Sequence, residues 1–482
     1  MFERCKMGTA VIAIRDVARA GEQSMRPFCP GRTKPLQCAI ARDLSHLRSS
    51  ASPIGAVALC AVLALASPNA SAGSTFFVTS TADSGPDTLR GAIAAANTAD
   101  GNTVQIDSSL KGSTITLTSD YIEINHLMTV TGPGENAVTV SGGGISRIFY
   151  VHDTSLASDV TISNMTLTAG NVGVFSGGAI AAKNSRLVVD HVTISASSAN
   201  DGGGIFMGSG NLQVRYSHIT GNQAVDGGGI HTVASELRLD HDTISANTAS
   251  AYGGGIFADA SSPPQSIHVI NSTISGNTIP DTGGPANQGG GGIAIRNSTV
   301  SSEIYLSTIA QNYGYGGAGI ALLDAASAGV CFVLFSTISG NLSSESSGNG
   351  IAAASGGTVS VARSIVAGNS SRNGGSDLAG TFYLYRSLIQ EPDSATITLA
   401  SSGNLFLTGP QLGALGDHGG PTPTMLPATT SPAIDNGGTC SVLDFVFDQR
   451  GYQHCVNDKW DIGAVERQNP ENIIFRNGFA ST

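Results

Sequence analysis

Charge and aromatic side chains are scarce in this chain. Charged residues fill 12% of its 482 positions and aromatic residues 6%, with one tryptophan. Globular proteins usually carry about twice that charge. Residues 1–72 hold nine Lys/Arg and four Asp/Glu, which leaves 15 and 31 for the remainder, a net charge near −16. A surface so acidic repels phosphate backbones and anionic lipid, so no nucleic-acid partner is expected. Beyond residue 72 the only lysines are Lys111, Lys183 and Lys459, and the only cysteines Cys331, Cys440 and Cys455. Three cysteines are too few ligands for a metal site. No stretch has the length and 3.6-residue period of a helix bundle, and no apolar run past residue 72 is long enough for a transmembrane helix. Disorder is excluded from the other side, because 40% of residues are hydrophobic and recur at fixed positions.

Residues 1–72 differ from the rest. They are basic, and Ile54–Ala66 is an apolar run of signal-peptide length followed by the small residues Ala70, Ser71 and Ala72. They are expected to form a leader for export to the cell surface or medium. An oxidising destination permits disulfides, and Cys440 with Cys455 would close a small loop. Cys331, inside Val330-Cys-Phe-Val-Leu-Phe335, reads as a buried free thiol.

What the chain has in abundance is glycine, 62 residues, arranged in repeats. Ile180, Ile205, Ile230, Ile256, Ile293, Ile320 and Ile351 follow glycine-rich runs, the first gaps being about 25 residues. Half a unit away, Thr-Ile-Ser-Gly-Asn or a variant recurs at Ile194, Ile219, Ile244, Ile274, Ile309, Ile338 and Ile365. Each unit holds three short runs of period-two alternation separated by Gly, Ser and Asn. Units of this size and content predict an all-β fold, a right-handed parallel β-helix, with aliphatic ladders inside and the outward residues between them. Asn222, Asn247, Asn277, Asn312, Asn341 and Asn369 fall at one turn and predict an asparagine ladder. Domain bounds follow: leader 1–72, N-terminal cap 73–102, repeats 103–400, C-terminal cap 401–466 and tail 467–482. Within the N-terminal cap a short helix is expected, with Asp87 as N-cap and Leu89, Ile93 and Ala96 on its buried face.

Function must lie in the outward columns. Aligning units puts Asp190, Arg215 and Asp240 in one column. The two carboxylates, two coils apart, would be roughly 9–10 Å from each other. That spacing suits an inverting glycosidase with Arg215 steadying a sugar acid, and equally a salt-bridge ladder. Beside them run His191, Tyr216, His241 and Asn271. A second column, Phe206, His231 and Phe257, would stack outward, either to bind sugar rings or to support the sheet. Asp201 and Asp226, before Gly-Gly-Gly on adjacent coils, are turn residues or a Ca²⁺ pair. Asp435, Asp448, Arg450, Asp461 and Glu466 read as a hydrogen-bonded network in the C-terminal cap.

The segment Phe76-Phe-Val-Thr-Ser-Thr-Ala-Asp83, with Leu89-Arg90 and Ala96-Asn97, resembles the N-terminal cap of CSLREA-type secreted β-helix proteins. It lacks that motif's Cys and Glu. The segments Gly419-Gly-Pro-Thr-Pro-Thr-Met-Leu-Pro427, Ser431-Pro-Ala-Ile-Asp-Asn-Gly437, Asp448-Gln-Arg-Gly451 and Asp461-Ile-Gly-Ala-Val-Glu466 resemble the choice-of-anchor Q C-terminal domain. The repeats resemble those of polymorphic outer-membrane proteins. The resemblance implies an exported, often surface-associated bacterial β-helix. The expected role is structural, adhesive or glycan-binding, with a polysaccharide or cell-surface glycan as partner. The alternative is a lyase or glycoside hydrolase acting on acidic polysaccharides. No cofactor is expected, Ca²⁺ at Asp201 and Asp226 being the one candidate.

Overall fold

The computed structural model describes residues 73–468, apart from 153, 155, 157–158, 261–265, 282–288, 297–301, 324–329, 345–347, 355, 372–373, 401 and 441–446. The expected leader and nearly all of the expected tail lie outside the described residues. Each unit of the chain gives one short strand to each of three parallel faces. The first face holds Ile180–Lys183, Ile205–Gly208, Ile230–Val233, Ile256–Asp259 and Ile293–Arg296. The second holds Asn211–Arg215, Glu236–Asp240 and Ile267–Ile270, and the third His218–Thr220, Thr243–Ser245 and Thr273–Ser275. The result is a parallel β-helix.

Alternation drives this arrangement. In Asn211–Arg215 the burial pattern is strictly alternate, with Leu212 and Val214 inside. The glycine-associated isoleucines are Cα partners from Ile180 to Ile351 and are fully buried. In the third face the column runs from Ile194 to Ile338 as expected and then departs. Val366 pairs with Ile338, while Ile365 lies opposite Thr337 and faces outward. Two branched apolar residues stand side by side there, and a period of two admits only one of them to the core. Ile365 instead packs against Leu388, Ala433 and Ile462.

The Gly-Gly-Gly runs turn the chain between the third and first faces. Gly227 has φ +63°, and a Cβ there would meet the Ile230 carbonyl. Gly228 has no room for a Cβ because the Gly254 carbonyl of the next coil lies where it would be. At the turn before these runs, each asparagine of the expected ladder is buried. Asn222 Nδ2 donates to Asn247 Oδ1, and the pattern continues through Asn277, Asn312, Asn341 and Asn369 at 2.8–3.0 Å. The ladder ends on Asp377, whose Oδ1 accepts from Asn369. A second ladder, of serines, bridges the second and third faces. Ser272, Ser307, Ser336, Ser364 and Ser387 each place a hydroxyl oxygen on a backbone N–H of the preceding coil. Asp242 holds the equivalent place one coil earlier.

The N-terminal helix spans Leu89–Ala96, with Leu89, Ala92, Ile93 and Ala96 buried. Its N-cap is Thr88, whose Oγ1 accepts from Gly91 N–H, rather than Asp87, which has φ +56°. Thr75–Val78, before the helix, already pairs with Asn102–Ile106, so the first coil starts inside the cap. At the other end Leu405–Phe406 still pairs with Leu388–Ile389. The following segment lies along the third face. Gln449 reaches Thr308 Oγ1, Thr273 Oγ1 and the Ser272 carbonyl, while Ala464 N–H donates to Thr337 Oγ1. A stretch expected to cap the end therefore covers a flank, because the outward threonines of the third face offer it a row of hydroxyls. Cys440 and Cys455 in this segment are disulfide-bonded, and Cys331 is a buried free thiol that burial pushes up to about 12. No helix among the described residues is long and apolar enough to cross a membrane.

Candidate functional site

The first face carries a groove of about 730 Å³ in the N-terminal coils. Its floor includes Tyr150, Ala181, Lys183 and Phe206, all from strands of that face. Tyr150, Ala181 and Phe206 are Cα partners on successive coils, so the small Ala181 leaves a gap between two rings. The walls are the turns containing Ile145 and Phe175, each 65% exposed. Exposed apolar side chains of that size beside a groove are the kind of surface that ligands cover.

At one end stands Arg147. Its Cζ lies 5.3 Å from the ring centroids of both Tyr121 and Tyr150, which are set edge to face at 5.6 Å. Two aromatic faces hold a cation by their quadrupoles. Burial lowers the Arg147 pKa, with Tyr121, Tyr150 and Asp120 acting against that. Its Nε is buried and makes no hydrogen bond. By contrast Arg90, Arg186, Arg215 and Arg450 sit on the carboxylates of Asp83, Asp159, Asp190 and Asp448. The Asp120 carboxylate accepts from Tyr121 N–H and the Ser146 hydroxyl. The N-terminal cap fixes this end of the groove. Arg90 donates to the Asp120 and Tyr121 carbonyls and to Asp83, while Asp83 also accepts from Thr118 and Ser119. Burial alone would raise the Asp83 pKa, but hydrogen bonds from Ser119 and Arg90 hold it at about 2.

The column Asp190, Arg215, Asp240 forms in register on the second face. Arg215 Nη2 contacts Asp190 at 3.0 Å. Asp240 pairs instead with His241 at 2.8 Å and Arg238 at 3.6 Å. Beside them His191, Tyr216 and His241 stack nearly parallel, at 5.1 and 4.8 Å, each with positive φ. None of these residues lines the groove.

Phe206, His231 and Phe257 are also in register on the first face. The solvent-side row expected from the sequence is reduced to Phe206, because His231 is 5% and Phe257 1% exposed. Tyr252 stacks on Phe257, and Arg296 lies over both rings. Tyr252, from the turn before Gly253, folds over the column at this coil, which the repeat spacing alone does not reveal. His231 Nδ1 stands 3.5 Å from Asp201, whose pKa is lowered chiefly by that contact, while burial raises Asp226. Among the described residues no three His, Cys, Asp or Glu side chains are grouped to hold a metal ion.

The C-terminal network forms as expected. Arg450 grips Asp448, Asp461 Oδ1 accepts from Asp435 N–H, and Glu466 Oε2 from Asp461 N–H. Burial raises Asp461 to about 6 and Glu466 to about 10, so Glu466 is a neutral acid at pH 7. Buried His454, against Phe335, is pushed down to about 3 and is neutral as well. These groups hold the segment together rather than face a ligand.

Sequence reasoning picked out Phe206 and missed Arg147, Tyr121, Tyr150 and Phe175. They sit in the irregular first coils, where no repeat marks a column. The one available signal was Lys183, one of three lysines after residue 72.

Fold and repeats together define a right-handed parallel β-helix repeat protein. Residues 97–309 match the family model described as right handed beta helix region. A solved structure similar to this chain is that of the pectate lyase Pel9A, at 14% identity and a TM-score of 0.48, covering 83% of this chain and 98% of that one. No curated protein matches the sequence.

Proposed function

We propose that this is an exported, surface-associated or secreted β-helix that binds a glycan in the groove of its N-terminal coils and acts by binding rather than turnover. The observation that carries this reading is the groove itself. Tyr121, Tyr150, Phe175 and Phe206 surround a cavity of about 730 Å³ on a rigid sheet. Aromatic rings on a fixed framework bind sugar rings at little entropic cost. Export is supported by the composition of residues 1–72 and by the disulfide at Cys440 and Cys455. The alternative, a lyase or hydrolase on acidic polysaccharide, relied on Asp190, Arg215 and Asp240. Those side chains pair with one another or with neighbouring His and Arg residues, away from the groove.

Affinity electrophoresis of the full chain against a polysaccharide panel tests the proposal, run beside assays for new reducing ends and unsaturated products. Retardation without products is expected, weakened about tenfold by Phe175→Ala, a loss of roughly 1.4 kcal/mol. Turnover abolished by Asp190→Ala or Asp240→Ala would replace this reading with the enzymatic one. Export is tested by fractionating cells that make the chain with and without residues 1–72.

A further inference from the structure

We infer that the groove selects an anionic saccharide, with Arg147 holding a carboxylate or sulfate group of one sugar unit and Lys183 an acidic group of its neighbour. This rests on the glycan reading and deepens it.

Four observations converge on the inference. The described chain beyond residue 72 is strongly acidic and has three lysines, yet Lys183 and Arg147 line the same groove. Arg147 has no carboxylate within ion-pair distance among the described residues, unlike Arg90, Arg186, Arg215 and Arg450. Its buried Nε carries an N–H with no acceptor. A donor left unsatisfied at a buried position is costly, and an acceptor brought to it removes that cost. Finally, the guanidinium is fixed between the rings of Tyr121 and Tyr150, whose coil Arg90 ties to the cap. A guanidinium held in place offers a planar fork that matches a carboxylate or sulfate, with little further entropy to lose on binding.

The spacing fits a chain of sugars rather than one ion. Tyr150 and Ala181 are partners on adjacent coils of the first face, one strand spacing apart, roughly 4.8 Å, with Lys183 two residues along from Ala181 and Phe206 one coil further. A saccharide running along the coils would place its rings over Ala181, between Tyr150 and Phe206. Asp120 lies at the Arg147 end of the groove, where its carboxylate is taken up by Tyr121 N–H and the Ser146 hydroxyl rather than by the guanidinium.

The test uses the full chain and three probes: oligogalacturonate, its methyl-esterified neutral form, and oligomeric dextran sulfate, measured by calorimetry at two salt concentrations. The expected result is at least tenfold tighter binding of an acidic probe than of the neutral one, with affinity falling as salt rises. The preferred acidic probe identifies carboxylate or sulfate as the group held. Arg147→Gln should abolish that preference, and Arg147→Lys should restore only part of it, since an ammonium lacks the fork. Lys183→Gln, at an exposed position, should weaken acidic probes about threefold more than the neutral one. Equal affinity for acidic and neutral probes, unaltered by either substitution, overturns the inference while leaving the glycan reading intact. Failure of every probe and of the wider polysaccharide panel overturns both.

Discussion

The N-terminal and C-terminal coils share one repeat but present it differently. On the first face the outward column reads Tyr150, Ala181 and Phe206 at one end and Ala294, Ala321 and Ala352 at the other. The first stretch carries two rings that line the groove on either side of Ala181, whereas the second carries alanine alone. On the third face Thr273, Thr308 and Thr337 are buried beneath the C-terminal segment. At the N-terminal end of that face, Thr193 contacts Glu135 and Asn136, and half-exposed His218 stands 3.8 Å from Glu135. The asparagine run begins at Asn222, and towards the N-terminus its place is taken by Ser197, whose hydroxyl accepts from Gly170 N–H. One end of the rod is cross-braced and covered, and the other leaves its charges and rings available. Rigidity and recognition are thus separated along a single solenoid, which is possible because each coil contacts only its neighbours.

Breaking the braced half should have the largest effect. Asn312→Ala removes the acceptor of the Asn277 backbone and side-chain N–H groups, and the donor to Asn341 Oδ1 and the Ile274 carbonyl. A loss of about 3–5 kcal/mol is expected in urea unfolding. Hydrogen exchange should accelerate at residues 270–370 and stay slow at 100–195. Uniform loss along the rod would contradict the division.

The two halves should also answer to pH with opposite signs. Burial raises Asp377, at the end of the ladder, and Asp461, in the flank segment, to about 6. Their folded pKa exceeds the unfolded value, so their contribution is complete below about pH 4 and is lost as pH rises through 6, up to about 3 kcal/mol each. Asp83 in the N-terminal cap, at about 2, does the reverse, and its contribution is lost as pH falls from about 4 to 2. Melting followed by site-specific hydrogen exchange should show the C-terminal coils loosening between pH 4 and 6. Asp377→Asn should flatten that slope and leave the acid limb unchanged.

The smallest effect is expected on the second face. Arg215 is 42% exposed at its side chain and contacts Asp190 alone of the two carboxylates. Arg215→Ala should cost under about 1 kcal/mol and leave glycan affinity unaltered. A loss of binding would move the site to that face.

Much of the fold was legible in the sequence. The spacing of Ile180, Ile205 and Ile230 fixed their pairing, and the asparagines fixed their own ladder, because both depend on residues one coil apart. The reading failed where a local tie had to be broken, as between Ile365 and Val366, and where a distant segment intervened. Nothing near Thr308 announces Gln449, which lies 141 residues away. The candidate site was legible only at Phe206. Arg147 and Tyr121 fall in coils of irregular length, where columns cannot be aligned by counting.

By itself the amino-acid sequence determined the β-helix, its coil length and the inward columns, since period-two alternation and glycine turns act within a few residues. Which outward residues meet solvent was decided only by the tertiary structure. Exposure depends on what folds back over a column: Tyr252 and Arg296 over Phe257, the C-terminal segment over the threonines. Where no described residue folds back, between Arg147 and Phe206, the groove remains open.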